Sequence, residues 1–535
     1  MRVGVEKESR VRARAGLAHV LARGEEEGHC FCEEPALLLT AQEMLGIPVE
    51  KLAEALEDEV ARGALVREGR TQNKEQGTQN TEQGIQNSEW ETGKRIYLKK
   101  LYNAERDVAA RISALIKTPA PWPAIVADRA AAWAEARMGF ALAEGQRRAL
   151  ETTLASKVSV ITGGPGVGKT TLIRALVEIY NARKLRVALA APTGRAAKRL
   201  SESTGMEALT LHRLLKFKPQ GGGFTFNEAN VLPFDVFILD EASMLDVTLA
   251  RDFLAAVPTN AAVIWVGDTD QLPSVGPGNV LADILKSGVV ASTHLTAIYR
   301  QDASGLIVRN AHHIHEGEPL ETGGADDFFM IETNEPDKVT GRVVELVTQR
   351  IPKKFGFDPM RDIQVLTPMR RGALGTERLN VVLQSALNPS GASVQRAGVV
   401  FRKGDRVMQI RNNYDKEVYN GDIGFIARVD EEAREVVVDM DGRGVTYDYP
   451  ELDELTHAYA CSIHKSQGSE YPAVVLVIST HHFKLLQRNL LYTGLTRGKK
   501  LVCLVGSHRA VSLAIENNDT KARRSWLAER MKNNG

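Results

Sequence analysis

Residues 161 to 173, ITGGPGVGKTTLI, combine clustered glycines with a Lys-Thr pair. Gly163, Gly168, Lys169 and Thr170 have the spacing of a phosphate-binding P-loop, in which backbone N–H groups surround an anion at the start of a helix. An ordinary glycine-rich turn is the alternative, but the apolar flanks indicate a buried strand before the loop and a helix after it. The segment therefore predicts a nucleotide site, with Lys169 on the β and γ phosphates and Thr170 on Mg²⁺. The predicted nucleotide-contacting residues of this loop are Gly163, Gly164, Pro165, Gly166, Val167, Gly168, Lys169, Thr170 and Thr171.

Two further segments carry side chains suited to the same site. VFILDEAS, residues 236 to 243, has the form of a buried strand that ends in two carboxylates. Asp240 is expected to position Mg²⁺, and Glu241 to act as general base on the attacking water. VGDTDQLPSVGPG, residues 266 to 278, follows another apolar strand, so Gln271 is expected beside the γ-phosphate. An acidic strand end alone is weak evidence, but this one lies on the strand expected downstream of a P-loop.

The composition is typical of a multidomain globular protein. A chain of 535 residues is too long for one core, and three or four domains are expected. Basic and acidic residues balance at 68 and 67, so attraction to nucleic acid must come from local surfaces. Four scattered cysteines favour a reducing cytoplasm over a disulfide framework, and a metal site at HCFC, residues 29 to 32, is a weaker alternative. We find no apolar run of membrane-spanning length and no signal-peptide pattern, so no membrane association is expected.

The first 136 residues are predicted to form a helical, winged-helix-like domain. Residues 39 to 68 indicate two helices joined by a Gly-Ile-Pro turn and followed by a strand. The second helix is acidic, so DNA phosphates would repel it, and packing against a neighbouring domain is the favoured role. A polar repeat of seven-residue units, 71–91, lacks apolar core positions and is predicted to be disordered, as an expanded wing tip.

From residue 144 onward, strand and helix patterns alternate. This alternation predicts parallel sheets covered by helices, and two such α/β units fit the length. We assign residues 137–335 to the first unit and 336–535 to the second. Short β-rich pieces with turns indicate a small barrel, at about 412–455, inserted into the second unit.

The order of motifs resembles that of superfamily 1 helicases. The amino-acid sequences of the motifs are most similar to those of the RecD-like 5′-to-3′ DNA helicases of superfamily 1B, in the stand-alone subfamily. The resemblance covers roughly residues 144 to 506. Its motifs are LAEGQRRAL, the P-loop, APTGRAAKRL, TLHRLL, LDEASM, GDTDQLPSVGPG, LTAIYRQ, AYACSIHKSQGSEYPAVVL and LLYTGLTRGKK. It implies an α/β fold with two RecA-like P-loop domains and an SH3-like barrel. Longer RecD-like proteins carry additional N-terminal helical modules that are not recognisable here.

The resemblance also assigns roles around ATP. Gln146 is expected to read the adenine, where a side-chain amide can both donate and accept. Arg300 and Arg497, from the two units, are expected to converge on the γ-phosphate and to link hydrolysis to closure of the cleft. Gly468 and Glu470 are expected to approach the phosphates and the ribose. The implied cofactors are ATP and Mg²⁺.

For DNA, the resemblance implies a sequence-independent grip through hydroxyls, backbone amides and a few cations. For any one Thr or His among them, a simple helix cap is the alternative. The predicted DNA-contacting residues are Pro192, Thr193, Arg195, Thr210, His212, Arg370, Arg371, Asn380, Ser462, His464, Lys465 and Ser466.

Residues 216–234 join the TLHRLL motif to the acidic strand. Three glycines at 221 to 223 disfavour a helix, and Phe217 and the FTF at 224 to 226 offer short β-type arms, so a hairpin is predicted. A loose surface connection is the alternative. RecD-like helicases are similar in carrying a wedge hairpin at this position, which implies that this segment separates the strands.

The sequence therefore predicts an ATP-dependent DNA helicase of repair or recombination. The expected substrates are single-stranded DNA and 5′-tailed duplex, a single-strand-binding protein is a candidate partner, and the chain is expected to act as a monomer in the cytoplasm. Two alternatives stay open. One is the RecD subunit of a RecBCD-type nuclease, although no nuclease-like acid cluster is evident. The other is a nucleotide-switched DNA-binding ATPase that does not unwind.

Overall fold

The structure, a computed structural model, describes residues 6–69, 93–218, 222–296, 305–413, 415–518 and 523–534. The polar repeat at 71–91 and Arg300 lie outside these residues. The described chain forms an N-terminal module, two parallel sheets flanked by helices, and an antiparallel barrel. None of the helices within these ranges has both the length and the apolar character needed to span a membrane.

The N-terminal module has the predicted helix and strand order. Its elements are α1 (Arg10–Glu26), β1 (Phe31–Glu33), α2 (Glu34–Leu45), α3 (Val49–Ala61), β2 (Leu65–Glu68), β3 (Arg95–Leu98) and α4 (Lys99–Ile116). Gly46, at φ 65°, ends α2 in the left-handed region that favours glycine. Strands β2 and β3 pair antiparallel, with Glu68 opposite Arg95, so the connection that carries the repeat begins and ends on one hairpin.

The first parallel unit positions the P-loop. Its elements are α5 (Ala127–Met138), α6 (Glu144–Ala155), β4 (Val158–Gly163), α7 (Lys169–Ala182), β5 (Val187–Ala191), α8 (Gly194–Thr204), β6 (Ala208–Thr210), α9 (Leu211–Leu214), β7 (Val236–Leu239), α10 (Val247–Ala256), β8 (Ala262–Gly267), α11 (Val280–Ser287) and β9 (Ala291–Leu295). The sheet order is β6-β5-β7-β8-β4-β9, and all pairs are parallel. The carboxyl ends of β4, β7 and β8 therefore meet at one edge, where ligands bind in such sheets.

The second parallel unit is interrupted by the barrel. Its elements before the barrel are α12 (Leu306–Glu316), β10 (Phe328–Glu332), α13 (Pro336–Glu345), α14 (Ile351–Phe355), β11 (Ile363–Thr367) and α15 (Thr376–Leu387). The inserted strands are β12 (Ser393–Arg396), β13 (Val399–Arg402), β14 (Arg406–Gln409), β15 (Ile423–Asp430), β16 (Glu435–Met440), β17 (Arg443–Asp448) and β18 (Leu455–His457). The insertion thus begins earlier than the predicted position near 412, because the β12–β13 hairpin packs Val394 and Phe401 into the barrel core.

After the barrel the chain returns to the second sheet. The remaining elements are β19 (Ala460–Ser462), β20 (Tyr471–Ile478), α16 (Arg488–Thr496), β21 (Gly498–Gly506), α17 (His508–Glu516) and α18 (Leu527–Asn534). The order β10-β21-β20-β11-β19 is again parallel throughout, which confirms the predicted α/β class. Helix α18, however, packs against α4 of the N-terminal module and α11 of the first unit. From the sequence, this end of the chain is predicted to lie in the second unit.

Candidate nucleotide site and DNA interface

A cavity of about 450 Å³ lies where the edge of the first sheet faces the second unit. It brings together most of the residues predicted to contact ATP. The predicted residues that line it are Gln146, Gly164, Pro165, Gly166, Gly168, Lys169, Thr170, Thr171, Asp240, Glu241, Gln271, Glu470 and Arg497. Val167 instead packs into the core beneath the loop, and neither Gly163 nor Gly468 reaches the cavity wall.

The P-loop follows β4 and turns directly into α7. Gly166 and Gly168 have φ values of 77° and 81°, a region that β-carbon-bearing residues rarely adopt. At Gly163, a β-carbon would lie 2.6 Å from the carbonyl oxygen of Leu295, so the loop needs glycine there for space. The Lys169 ammonium donates to the carbonyls of Gly163 and Gly164, the latter at 2.7 Å. The cation is therefore held over the loop that would cradle the phosphates.

Lys169→Ala is expected to lower the rate of ATP hydrolysis by roughly 10²- to 10³-fold, the usual effect of removing one donor that stabilises developing charge. Single-strand binding should be largely retained, because the ammonium faces the P-loop. Steady-state ATPase and fluorescence-anisotropy assays would measure the two effects. Lys353→Ala, which removes an exposed lysine from α14, is the matched control. Normal turnover in the Lys169 variant would contradict the assignment of this site.

Gln146 connects α6 to the P-loop. Its side-chain oxygen accepts a hydrogen bond from the Ala143 N–H at 3.0 Å, and its Nε2 donates to the carbonyls of Val167 and Gly168 at 3.4 and 3.3 Å. The side chain is buried and lines the cavity. The predicted contact with adenine remains a prediction, and the structure adds a role in fixing the shape of the loop.

The end of β7 delivers two carboxylates to the cavity. Burial raises the pKa of Asp240 to about 6, and the charge of Glu241 adds to the rise. A cation beside Asp240 would favour its ionised form. Thr170 and Asp240 together offer a hydroxyl and a carboxylate, the hard oxygen donors that Mg²⁺ prefers, so this pair fits the implied metal. Glu241 has a left-handed φ of 52°, a conformation that is costly for a non-glycine residue and is often found at functional sites.

The loop after β8 links the cavity to the second unit. Gln271 is 6% exposed and donates through Nε2 to Asp268 at 3.2 Å. Its Oε1 is buried and has no hydrogen-bond partner among the described residues. An acceptor left unsatisfied in this way is costly and is suited to a ligand donor or water. Asp268 in turn accepts a hydrogen bond from the hydroxyl of Tyr492 on α16 at 3.0 Å.

Two more hydrogen bonds join the same loop to the second unit. The Leu272 N–H donates to the hydroxyl of Thr493 at 2.9 Å, and the Leu272 carbonyl accepts from the Gln467 amide at 2.6 Å. Thr493 and Gln467 both lie in predicted helicase motifs, yet neither residue was singled out from the sequence. A change in the position of this loop must therefore move groups on both sides of the cleft.

Arg497 and Arg199 bring positive charge to the cavity from opposite units. Arg497 is 3% exposed and lines the cavity wall. Arg199, on α8, pairs with Glu470 at 3.3 Å and donates to the Gly468 carbonyl at 3.3 Å. Lys499 also pairs with Glu470, at 3.1 Å. Sequence reasoning missed Arg199, because one more arginine on an amphipathic helix carries no distinguishing signal.

The residues predicted to contact DNA on the first unit lie at two helix starts. The Thr193 hydroxyl accepts from the Ala196 N–H at 3.3 Å and caps α8, while the Thr210 hydroxyl accepts from the Arg213 N–H at 3.2 Å and caps α9. A capping hydroxyl can still donate its own hydrogen, so a contact with phosphate stays possible for both. Pro192 is partly exposed beside Thr193.

Arg195 has a different environment from the one predicted. Its guanidinium donates to the hydroxyls of Ser469 and Tyr471, both at 2.8 Å, and so joins α8 to the second unit. Gly468 packs closely on the same helix, since a β-carbon there would lie 2.8 Å from the Thr193 hydroxyl. These contacts place Arg195 and Gly468 in the contact between the units, and their predicted roles on DNA and on ATP stay predictions.

On the second unit, two predicted DNA contacts do not fit their burial. Asn380 is 6% exposed, and its amide makes hydrogen bonds to the backbone of His457 and Ala460. Ser466 is fully buried and donates to the Ile463 carbonyl at 2.7 Å. Both side chains hold the β19 region together, and their burial does not favour the predicted contact with DNA, which stays a prediction.

The other predicted residues of this unit are accessible. His464 and Lys465 are exposed, and the Ser462 hydroxyl accepts from the Lys465 N–H at 3.3 Å. Arg370 is exposed and pairs with Glu377 at 2.8 Å, an ion pair that is weak in water. The residues of this unit that are both predicted to contact DNA and accessible are Arg370, Arg371, Ser462, His464 and Lys465.

The predicted hairpin at 216–234 is present without regular strands. Single antiparallel bridges join Phe217 to Phe224 and Asn227 to Asn230. The two phenylalanine rings lie 5.5 Å apart, and each also packs against the ring of His212. The Thr225 N–H donates to the Lys216 carbonyl at 3.0 Å. Part of the glycine turn, residues 219–221, lies outside the described residues.

The fold and the cavity define a P-loop nucleoside triphosphatase with two RecA-like units. Known family models match as an AAA domain at residues 141–331, the SH3 domain of ATP-dependent RecD-like DNA helicases at 379–440, and a UvrD-like helicase C-terminal domain at 457–505. Among curated relatives, RecBCD enzyme subunit RecD of Mycobacterium tuberculosis is 31% identical over 477 residues, which cover 82% of this chain and 80% of the relative. The chain belongs to the RecD-like helicase family.

A second relative is more similar in sequence but longer. The ATP-dependent RecD2 DNA helicase of Deinococcus radiodurans is 38% identical over 438 residues, or 82% of this chain. This chain spans 59% of the length of that relative. Among solved structures, the Pif1 helicase from Bacteroides in complex with ADP-AlF3 and single-stranded DNA aligns with a TM-score of 0.45 and 19% identity, over 70% of this chain and 94% of that one. The Pif1 helicase from Candida albicans gives 0.44 and 19%, over 74% and 99%.

Proposed function

We propose that this chain is an ATP- and Mg²⁺-dependent DNA helicase that moves 5′ to 3′ on single-stranded DNA and unwinds duplex DNA in repair or recombination. The observation that carries the proposal is the cavity built from both RecA-like units and bridged by the loop of Gln271. A cavity with this construction changes shape when its contents change. Nucleotide turnover can then drive movement of one unit against the other.

Within the cavity, each side chain has a chemical task. Glu241 would take the proton from the attacking water, and Lys169 would neutralise charge on the transferred phosphoryl group. Mg²⁺, when bound through Thr170 and Asp240, would supply charge neutralisation on the β and γ phosphates. Arg497 would approach the same group from the second unit, so that hydrolysis is fast only when the cleft is closed.

DNA would run across both units near the starts of α8 and α9 and the exposed His464 and Lys465. Contacts of this type are to phosphate and sugar, and they give binding without sequence preference. We divide the chain at about residue 136 and, for the second boundary, ahead of α12 and not at the predicted residue 335, because β10 (Phe328–Glu332) already pairs in the second sheet. The barrel is an insertion in the second unit. The direction of movement is proposed from the resemblance to 5′-to-3′ helicases alone.

A strand-displacement assay tests this function. Wild-type protein is expected to unwind a 5′-tailed duplex in the presence of ATP and Mg²⁺ and to leave a 3′-tailed duplex intact. Hydrolysis stimulated by single-stranded DNA without displacement of either substrate would favour a nucleotide-switched binding protein. We expect a monomer in the cytoplasm, and the four free cysteines are consistent with a reducing compartment.

The second candidate is a RecD subunit within a RecBCD-type complex. It is favoured by one observation, the 31% identity to RecD subunits over 80% of their length. A subunit of this kind should need partner chains for full activity. Unwinding of a 5′-tailed duplex by the purified chain alone, at a rate that does not depend on added lysate, would argue against it.

The hairpin at 216–234 is proposed to separate the strands. Replacing residues 218–231 with a short Gly-Ser link is expected to preserve the ATPase activity stimulated by single-stranded DNA and to abolish duplex separation, because a translocating motor without an obstacle passes along the strand without parting it. Strand displacement and ATPase assays measure the two activities. A link placed only at residues 227–230, which leaves the Phe217–Phe224 bridge intact, is the matched control. Normal unwinding by the longer replacement would show that the hairpin is only a connection.

A further inference from the structure

The last described segment of the chain, residues 523–534, lies against the N-terminal module, and we call it the C-terminal strap. The Cys30 N–H donates to the Arg524 carbonyl at 2.7 Å. The buried carboxylate of Glu105 on α4 accepts from the Ser525 hydroxyl at 2.8 Å and from the Trp526 N–H at 2.9 Å. The strap is therefore fixed by hydrogen bonds and does not depend on apolar packing alone.

The helix of the strap adds an ion-pair network. Arg530 pairs with Glu68 through two hydrogen bonds of 2.8 Å and lies 3.3 Å from Glu105. A two-pronged guanidinium–carboxylate contact of this kind fixes orientation as well as distance. The Arg95 guanidinium stacks 3.5 Å above the ring of Trp526. Since α18 also packs on α11, the strap joins the N-terminal module to the first RecA-like unit.

Arg523, at the start of the strap, reaches into the loop of Gln271. Its Nη1 donates to the Ser274 hydroxyl at 3.0 Å and to the carbonyls of Gly276 and Gly278 at 2.6 and 2.8 Å, and its Nη2 donates to the Ser274 carbonyl. The single hydrogen of the Ser274 hydroxyl has the carbonyls of Gly276 and Gly278 within reach, at 3.0 and 3.3 Å. One guanidinium thus holds three residues of an irregular loop.

The sequence of this loop explains why an external donor is needed. Residues 272 to 278 read LPSVGPG, and the two prolines lack an N–H, so the loop has few donors of its own for its carbonyls. A guanidinium offers five N–H groups in a fixed plane and can satisfy several carbonyls at once. Gly28 makes room for it, because a β-carbon there would lie 2.6 Å from the Arg523 guanidinium carbon.

We propose that Arg523 is a positioning residue for Gln271, and that it couples the N-terminal module to the nucleotide state of the motor. The loop is held on one side by Arg523 and on the other by Thr493 and Gln467 of the second unit. Gln271 directly precedes Leu272, the first of these attachment points, and faces the nucleotide cavity. Movement of the loop on nucleotide turnover therefore pulls on the strap, and a loose strap leaves Gln271 free to shift. The inference rests on the proposed ATPase function.

The test compares Arg523→Ala with Arg523→Lys and with Arg524→Ala. Arg524 is the matched control, since its side chain contacts Cys32 at 3.5 Å and not the loop. We expect Arg523→Ala to lower the DNA-stimulated kcat by on the order of tenfold, because small displacements of reacting geometry are costly, with a smaller change in KM for ATP. Arg523→Lys should fall between wild type and Arg523→Ala, and Arg524→Ala should match wild type.

Hydrogen exchange supplies a readout that does not require turnover. The amides of residues 268–278 should exchange faster in Arg523→Ala than in wild type, while those of the P-loop should be unchanged. Wild-type exchange and kcat in Arg523→Ala would overturn the inference. If Arg523→Ala is insoluble, Arg523→Lys, which keeps the charge but not the planar fork, must show the same pair of effects in weaker form or the inference fails. A wild-type protein without DNA-stimulated hydrolysis would refute the proposed function instead, and the exchange comparison would still decide whether Arg523 holds the loop.

Discussion

Arg497→Ala is expected to slow DNA-stimulated ATP hydrolysis by roughly 10³- to 10⁵-fold, the range found when an arginine that stabilises a phosphoryl-transfer transition state is removed. The residue comes from the second unit and lines the cavity that the P-loop forms. Its charge can therefore reach the reacting phosphate only when the two units are together. Nucleotide affinity should fall much less than the rate.

The structure shows what else this substitution removes. The Arg497 guanidinium donates to the carbonyls of Thr493 and Ser469, both at 3.1 Å, and to the Thr496 hydroxyl at 3.3 Å. Arg497→Lys keeps the charge but not the planar fork, so it should restore folding contacts only in part and recover little of the rate. Thermal denaturation separates a folding defect from a catalytic one.

Arg509→Ala removes an exposed guanidinium from α17 of the same unit and should leave hydrolysis unchanged. Single-turnover ATPase and nucleotide titration would give the rate and the affinity for each variant. Equal losses of rate and affinity in Arg497→Ala would argue against a role in the transition state. Such a result would mean that Arg497 mainly stabilises α16 through its hydrogen bonds.

Glu241→Gln is expected to lower hydrolysis by roughly 10²- to 10⁴-fold, the usual contribution of a positioned general base. The amide has nearly the shape of the carboxylate but cannot accept the proton of the attacking water. ATP should still bind, because the P-loop contacts are untouched. The variant should therefore accumulate with ATP in a closed state.

A fluorescent ATP analogue and a hydrolysis assay would measure binding and turnover for this variant. Glu207→Gln, at an exposed carboxylate on the same unit, is the control and should behave as wild type. The left-handed backbone of Glu241 is common to both side chains, so strain does not distinguish the variant from wild type. Undiminished hydrolysis would mean that another group is the base.

The parts of the site that the sequence predicted are local in the chain. The P-loop and the Asp240–Glu241 pair each lie at the end of one strand, so spacing within a few residues was enough to place them. Parallel pairing of the strands then brings these ends to one edge of the sheet. The fold class and the barrel follow from patterns of the same short range.

Contacts between distant segments were not predictable in the same way. Arg199, Gln467 and Thr493 act across the cleft, and nothing in their own neighbourhoods indicates a partner. Asn380 and Ser466 are buried beside β19, and a sequence does not say which side of a short segment faces inward. Strands β6, β10 and β19 have only three to five residues each, and a segment this short fits a strand, a helix or a loop equally well.

The closed hairpin of β2 and β3 has a consequence for how this gene can change. The repeat between the two strands is built of seven-residue units, so gain or loss of one unit adds or removes whole codons and keeps the reading frame. Pairing of Glu68 with Arg95 fixes both ends of the insertion, whatever its length. Even a doubling of a connection costs only about 0.6 kcal/mol of closure entropy. Variants that differ in the number of these units should therefore still fold.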